Sequence, residues 1–241
     1  MPNDALGNRI LDSLPELELA AIRRDLDRVT VKAHDTLYIP NERIDRVYFP
    51  INCVLSVLAI MQNGDAVEIS SIGHEGLSGS QLVFLADRPE REMICQVAGD
   101  AKCMTAEAFL KHFEKAKGFQ RMIFAYTESL FNSMAQSIAC NRLHVLNERC
   151  ARWLLSTEDR VGRSDFYLTQ EFLAIMLGTS RPAVTVAAGA LQEAGLIRYH
   201  RGHVKILDRE KLEAASCECY EDTARSLERV MNTNKVRIKA V

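Results

Sequence analysis

The sequence predicts an α+β fold, with a β-roll in its first half and a small helical, winged unit in its second half. Three observations support this division. Short segments rich in β-branched residues and separated by turns occupy about residues 29–105. A long segment with apolar residues at helical spacing follows at about 118–140. Residues 168–207 then have the pattern of a helix, a tight turn, a second helix and a hairpin.

The N-terminal half is expected to form an all-β roll of the jelly-roll type. The predicted strands are residues 36–39, 46–49, 54–60, 66–72, 93–97 and 101–104. Asn63-Gly64 lies between two of these segments and is a strong signal for a hairpin. Ahead of the strands, Ser13 and Glu16 have the spacing of a capping box, which predicts a short helix ending near Leu26.

The second half is expected to be mainly helical. Thr105 is predicted to cap a helix at 107–117, and further helices are predicted at 119–138 and 141–158. Asp208 is predicted to cap a last helix at 209–224. We therefore divide the chain into an N-terminal domain at 1–117, a long helix at 118–140, a winged helical domain at 141–224 and a tail at 225–241.

Residues 168–207 carry the local signals of a winged helix-turn-helix. Thr169 can cap the first helix, and Gly178 supplies the permissive backbone that is needed to leave it. Ser180 can cap the second helix, in whose first turn Pro182 lacks only an N–H that would be unpaired anyway. Gly195 ends this helix, and two short strands at 196–199 and 204–207 follow. DNA is the first candidate partner of such a unit.

The charges of this unit are also suited to DNA. Over residues 178–206 the basic side chains are Arg181, Arg198, Arg201 and Lys205, and the single acidic one is Glu193. The helix at about 181–194 is expected to enter the major groove, where Arg181 can bridge O6 and N7 of a guanine. The wing at 196–207 is expected to lie along phosphates. The candidate DNA contacts are Thr169, Gln170, Ser180, Arg181, Thr185, Arg198, His200, Arg201, His203 and Lys205.

With these residues the chain resembles the Crp/Fnr family of transcription regulators, most strongly from about 141 to 220. The resemblance implies a cyclic-nucleotide-binding-type β-roll and sequence-specific binding to double-stranded DNA with a two-fold-symmetric operator. An activator of this type would also contact RNA polymerase, but no residue set in the sequence identifies such a patch. Pro182 and Val186 replace a glutamate and a second arginine of the best-known members, which predicts a different operator.

The resemblance also implies that the long helix pairs with its copy in a homodimer. The apolar stripe expected to form this contact is Phe119, Ile123, Tyr126, Leu130, Met134 and Ile138. The sequence leaves open the alternative that the stripe packs on its own β-roll. We favour the dimer because a single winged domain covers only one half-site of a two-fold-symmetric operator.

We expect no cofactor and no metal, and the ligand of the β-roll is unknown. Ser80 follows Gly79 where cyclic-nucleotide members have a glutamate, and Glu92 follows Arg91 and would repel a phosphate. No cysteine precedes Cys53, which argues against an iron–sulfur centre. Cys217 and Cys219 form a lone C-x-C, for which we see no second ligand pair nearby. The remaining cysteines are interpreted as buried apolar residues, and Arg88 and Arg91 as residues of a surface loop.

The composition excludes some other classes. Residues 1–140 carry 14 Lys and Arg against 19 Asp and Glu, whereas residues 141–241 carry 16 against 13, as expected for a sensor joined to a DNA reader. No apolar run is long enough for a membrane span, and the chain is expected to be cytoplasmic. Two alternatives stay open. One is a β-roll binding module whose winged domain docks a protein, and the other is a β-roll metalloenzyme using His34, His74 and His112, although we expect no enzyme activity.

Overall fold

The computed structural model describes residues 5–239, with side chains described for residues 5–232. Residues 1–4 and 240–241, which belong to the expected N-terminal domain and tail, lie outside the described residues. The predicted fold class is confirmed: a β-roll is followed by a long helix and a C-terminal winged helix-turn-helix. Within the described part of the chain no single helix is long and apolar enough to cross a membrane, and the helices Gln170–Leu177 and Arg181–Glu193 pass that test only as a pair bent by 101°.

The β-roll consists of two antiparallel sheets. Their strands are β1 (Asp27–Val31), β2 (Thr36–Tyr38), β3 (Arg46–Pro50), β4 (Val54–Ile60), β5 (Ala66–Ile72), β6 (Glu92–Val97) and β7 (Gly99–Thr105). One sheet has the strand order β1-β7-β3 and the other β2-β6-β4-β5. The hairpin predicted at Asn63-Gly64 is confirmed, since it joins β4 to β5. Strand β1 was not among the predicted segments.

Strand β4 is buried on both faces, and this explains its nearly continuous apolar sequence. Leu55 belongs to the core inside the roll, together with Phe49 and Phe119. Val54 and Leu58 point the other way and belong to the core of the C-terminal domain. Successive side chains of a strand point to opposite faces. One strand therefore joins two hydrophobic cores, and the C-terminal domain packs directly on its own β-roll.

Eight α-helices complete the described chain, together with three strands of the wing. The helices are α1 (Glu16–Arg23), α2 (Ala106–Lys115), α3 (Lys117–Leu143), α4 (Leu146–Val161), α5 (Gln170–Leu177), α6 (Arg181–Glu193), α7 (Arg209–Ala214) and α8 (Cys219–Lys239). The predicted caps Thr105, Thr169, Ser180 and Asp208 are confirmed, because each side chain accepts a backbone N–H of its helix.

Two expectations about the chain ends need correction. The capping box at Ser13 is wrong: the N-cap of α1 is Pro15, and the Ser13 hydroxyl donates instead to the Arg9 carbonyl at 2.6 Å. The helix expected to end at Ala224 is broken after Ala214 and resumes as α8, which continues to Lys239 through most of the expected tail. Met231 of α8 is buried in the roll core, so tertiary packing stabilises a segment that the local sequence leaves undecided.

The apolar stripe that was expected to form the dimer contact packs, over its first half, on the β-roll of its own chain. Phe119, Ile123 and Tyr126 are buried in the core of their own β-roll, and Leu130 packs against it. Only Ile138 is well exposed. The six positions advance by about 3.8 residues per step, which exceeds the 3.6 residues of a helical turn, so the stripe drifts by about 100° around the helix. For its first half, the alternative of packing on the β-roll holds.

Candidate nucleic-acid interface

Helices α5 and α6 form the helix-turn-helix, with an angle of 101° between them. Gly178 ends α5 with φ of +58°, the left-handed backbone that the sequence predicted. The buried side of α6 carries Val184, Ala187, Ala188 and Leu191, which join Leu173 and Leu177 in the C-terminal core. The opposite side of α6 is therefore free, and the side chains near its N-terminus are available for a groove.

The free side of α6 begins with Arg181 and continues through Pro182, Thr185 and Val186, all of them exposed. Val186 is 72% exposed although it is apolar. The Thr185 hydroxyl lies 2.8 Å from Oε1 of Gln170 and 3.0 Å from the carbonyl of Arg181, so it can donate to either. These contacts bring Gln170, Arg181 and Thr185 together at one edge. The sequence allows Val186 only an apolar contact, for which the methyl group of a thymine is the candidate, and its exposure is compatible with that contact.

Arg181 forms an ion pair within its own chain. Its Nη1 lies 3.7 Å from Oε2 of Glu171, the second residue of α5, and both side chains are exposed. An exposed ion pair of this length is weak. Glu171 therefore orients Arg181 only loosely, and the pair leaves a carboxylate close to the surface where a phosphate or base edge would lie.

The wing is a three-stranded sheet, and the sequence had predicted only two of its strands. The order is β8-β10-β9, formed by β8 (Asp165–Tyr167), β9 (Ile197–His200) and β10 (His203–Ile206). At its tip Arg201 and Gly202 both have positive φ, +49° and +81°. A Cβ at Gly202 would lie 2.7 Å from the Tyr167 ring, so this turn requires glycine.

Every basic candidate of the wing is exposed: Arg198, His200, Arg201, His203 and Lys205. The alternation along β10 explains this, because Val204 and Ile206 point into the core while their neighbours point outward. Tyr199 fixes the wing to the helices. Its hydroxyl donates to the carbonyl of Leu168 at 2.7 Å, and its backbone N–H donates to Gln192 at 2.7 Å. These two hydrogen bonds therefore connect the basic wing to α6 and to the residue before α5.

The outer side of the β-roll carries a carboxylate that the C-terminal domain covers. Glu68 of β5 accepts hydrogen bonds from the Trp153 indole N–H at 3.2 Å and from the Ser56 hydroxyl at 2.6 Å. Burial raises the pKa of Glu68, and the two hydrogen bonds act in the opposite direction. His34 of the roll also makes an edge contact with Phe172 of α5, with ring centres 5.1 Å apart. The C-terminal domain thus rests on the roll through polar contacts of α4 and an aromatic contact of α5.

A cavity of about 390 Å³ lies between the β-roll and α3. Its lining includes Tyr38 and Met93 of the roll and Leu130 and Met134 of α3. Arg88 and Arg91 are also at its rim, and they are exposed loop residues as predicted. Their guanidinium groups donate to the backbone carbonyls of Asn41 and Glu90, respectively. The cavity is thus connected to the long helix.

All seven cysteines are buried free thiols, as the interpretation of most of them as apolar residues requires. The expectation that no second pair lies near Cys217 and Cys219 is wrong, because the end of α3 brings Cys140 and His144 to them. Among the described residues, this is the only group of three or more His, Cys, Asp or Glu side chains whose ligand atoms converge. His34, His74 and His112, the residues of the metalloenzyme alternative, form no such group.

This geometry is that of a protein with a β-roll and a winged helix-turn-helix. Comparison with known proteins then identifies the kind of helix-turn-helix. Residues 148–215 match the family model of the Crp-like helix-turn-helix domain. The chain therefore contains a Crp-like helix-turn-helix domain, and the predicted resemblance to Crp/Fnr regulators is confirmed. No curated protein sequence matches the chain.

Solved structures of low identity share the fold over most of the chain. FixK2 from Bradyrhizobium japonicum is 13% identical with a TM-score of 0.66, over 80% of this chain and 98% of that one. The c-di-GMP-responsive global regulator CLP from Xanthomonas campestris is 14% identical with a TM-score of 0.64, over 80% and 99%. A CRP-family transcriptional regulator from Thermus thermophilus is 16% identical with a TM-score of 0.64, over 79% and 96%.

Proposed function

We propose that the protein is a homodimeric, sequence-specific DNA-binding transcription regulator of the Crp/Fnr type, and not an enzyme. The observation that carries this proposal is the exposed N-terminal half of α6 beside a basic wing, inside a domain that matches the Crp-like family model. DNA as partner also accords with the cytoplasmic location expected from the sequence.

The dimer contact is proposed to use the outer face of α3. Phe124, Phe131 and Ile138 are seven residues apart and are 47, 62 and 74% exposed. A seven-residue spacing keeps apolar side chains in one line along a coiled coil. The buried face of α3, with Met122 and Tyr126, lies on the opposite side of the helix. An apolar line on an otherwise polar face supports pairing with a second copy, whose two-fold axis would set two reading heads on one operator.

Within each head, α6 would lie in the major groove and the wing on the backbone. Arg181 would contact a guanine, and the Val186 side chain would contact the methyl group of a thymine. Thr169, Gln170, Ser180 and Thr185 would position the helix through phosphates or base edges. Arg198, His200, Arg201, His203 and Lys205 would supply the phosphate contacts of the wing.

The cavity between the roll and α3 is proposed to be the effector site. Leu130 and Met134 line it from the same helix that carries the dimer line, so an occupant would bear directly on the dimer. A contact with RNA polymerase would follow if the protein activates transcription, and repression would need none.

Selection from a randomised duplex pool at two salt concentrations tests the proposal. We expect enrichment of a two-fold-symmetric sequence by the wild type, and loss of base preference at one position in each half-site for Arg181→Ala. Arg43→Ala, which removes an exposed arginine of the roll, is the matched control and should select the same sequence. If the wild type enriches nothing at either salt, with or without cell extract as a source of effector, the winged domain does not read DNA sequence and a protein partner is the better hypothesis.

A further inference from the structure

Four ligand-type side chains converge where the end of α3 meets the beginning of α8. Cys140 and His144 come from the last turn of α3 and its C-cap, and Cys217 and Cys219 flank the start of α8. Their three sulfur atoms and one ring nitrogen all lie within 4.8 Å of one another. Within the cluster, the Sγ atoms of Cys140 and Cys217 are 3.5 Å apart, and Sγ of Cys219 lies 3.5 Å from Nδ1 of His144.

The two 3.5 Å separations are close to those of a tetrahedral zinc centre, and the 4.8 Å limit on the others leaves a small contraction for the metal to make. With Zn–S bonds of about 2.3 Å and Zn–N bonds of about 2.0 Å, neighbouring ligand atoms are separated by roughly 3.5–3.8 Å. Three cysteines with one histidine are also a common ligand set of structural zinc sites. Spacing in the sequence could not reveal the set, because 72 residues lie between His144 and Cys217.

The surroundings already hold the ligands in the required orientation. Nε2 of His144 lies 3.1 Å from a carboxylate oxygen of Glu218, which fixes the ring proton on that nitrogen and leaves the Nδ1 lone pair directed at the cluster. Nε2 of Gln136 donates to Sγ of Cys219 at 3.0 Å. A carboxylate behind a histidine and an N–H on a sulfur are the outer contacts that tune metal sites.

The local charge is also complementary to a thiolate-rich centre. Zinc with three thiolates and a neutral imidazole has a net charge of −1. Arg149 and Arg152, in the first turns of α4, lie within electrostatic range of Cys140 and Cys217. The Nε atoms of both arginines are buried without a hydrogen-bond partner. A buried negative centre close by would offset part of the cost of their burial.

We propose that Cys140, His144, Cys217 and Cys219 bind one Zn²⁺ per chain, through three sulfur atoms and Nδ1. Binding forms three Zn–S bonds and one Zn–N bond and releases the three thiol protons to solvent. The site fastens α8 to the end of α3, directly before the His144–Val145 link to the DNA-binding domain. On the basis of the proposed function, metal binding then sets the angle between the dimer helix and the reading heads.

Metal analysis of the full-length protein tests the site without DNA. We expect one zinc per chain in reduced protein purified from zinc-supplemented medium. After chelation, titration with Co²⁺ should give a thiolate-to-cobalt charge-transfer band that saturates at one equivalent and disappears when Zn²⁺ is added. A wild type that retains no zinc and gives no such band would overturn the proposal.

Variants assign the ligands. Cys217→Ser with Cys219→Ser should abolish the band and the bound zinc, whereas Cys150→Ser, which changes a buried cysteine of α4 outside the cluster, should retain both. Glu218→Gln keeps all four ligands and should weaken zinc binding by about 10–100-fold. Should the double variant fail to fold, the test uses His144→Gln and Glu218→Gln, which both lie at the rim of the cluster. Unchanged zinc affinity in both of these variants would refute the site. Loss of zinc with intact sequence selection would leave the proposed function standing.

Discussion

Nε of Arg160 donates a 2.8 Å hydrogen bond to Oε1 of Glu75, and this ion pair joins α4 of the DNA-binding domain to the loop after β5 of the β-roll. Both side chains are largely buried, with 17 and 9% exposure. The neighbouring Gly73 is part of the arrangement, because a Cβ there would collide with the aliphatic part of the Arg160 side chain. The loop therefore holds the arginine between a glycine and a carboxylate, and the pair fixes how the two domains meet.

Removing one member of this pair should be costly. Arg160→Met leaves the Glu75 carboxylate buried without its partner, for which the expected loss in the free energy of unfolding is about 3–5 kcal/mol. Combining it with Glu75→Gln should restore part of this loss, which urea denaturation of both variants can measure. Arg43→Met breaks an exposed 3.5 Å pair with Asp87 and should cost less than about 1 kcal/mol. Equal losses of stability for Arg160→Met and Arg43→Met would contradict the conclusion that the buried pair between Arg160 and Glu75 matters more than the exposed pair.

The same pair makes stability depend on pH. Burial by itself would raise the pKa of Glu75, but the adjacent Arg160 charge outweighs burial, and the net pKa is lowered. The unfolded chain thus binds the proton more readily than the folded one, and the stabilisation is present above the unfolded pKa of about 4.3. It should disappear as pH falls from there through the lower, folded pKa. The difference in unfolding free energy between wild type and Glu75→Gln, measured from pH 7 downward, should shrink in that window and stay level above it.

The proposed dimer line gives a third prediction. Phe131→Glu places a charge in the middle of the line formed by Phe124, Phe131 and Ile138, and should convert the dimer to a monomer in sedimentation equilibrium. The cause is the desolvation of a carboxylate at an apolar seam. Leu17→Glu makes a similar change at an exposed position of α1 and should leave the dimer intact. A dimer that survives Phe131→Glu would exclude this face of α3.

The weak pair between Arg181 and Glu171 gives a fourth prediction. Glu171→Gln removes a carboxylate from the surface that faces DNA in the proposed complex and frees Arg181 from its 3.7 Å partner. DNA binding should therefore tighten several-fold at low salt, with the operator sequence unchanged. Arg201→Ala with Lys205→Ala should instead weaken binding to all sequences and reduce the slope of log K against log salt by about 2. Weaker binding by Glu171→Gln would assign Glu171 a positive role in the contact.

The sequence predicted those parts of the fold that depend on local signals. Thr169, Ser180 and Asp208 cap helices as expected, since a cap needs only the residues of one turn. Strand β8 was missed because it has three residues and gains its order from pairing with β10. The predicted last helix ends before the end of α8 for a related reason. The stability of α8 comes from packing against the distant α3, which no local pattern records.

The candidate sites also differ in whether local sequence patterns could predict them. The residues of α6 that we propose to face DNA follow from helical periodicity, and all of them are exposed. The position of the dimer line could not be derived from spacing alone, because α3 carries apolar residues on two faces and only the packed β-roll decides which of them is covered. The four-ligand cluster joins residues from helices far apart in the sequence, so only the folded chain reveals it.

Gly189 in the interior of α6 gives the last prediction. A Cβ added there would meet no atom within 4 Å, so Gly189→Ala introduces no clash. Alanine loses less backbone freedom than glycine on entering a helix, so the free energy of unfolding should rise by about 0.5–1 kcal/mol. Ala190→Gly, at the exposed neighbouring position, is the mirror control and should lower it by a similar amount. The residue lies one turn after Thr185 on the side that is proposed to face DNA, so the added methyl group should leave operator affinity unchanged or weaker while the Tm rises. A lower Tm for Gly189→Ala would mean that α6 is not a regular helix at this position.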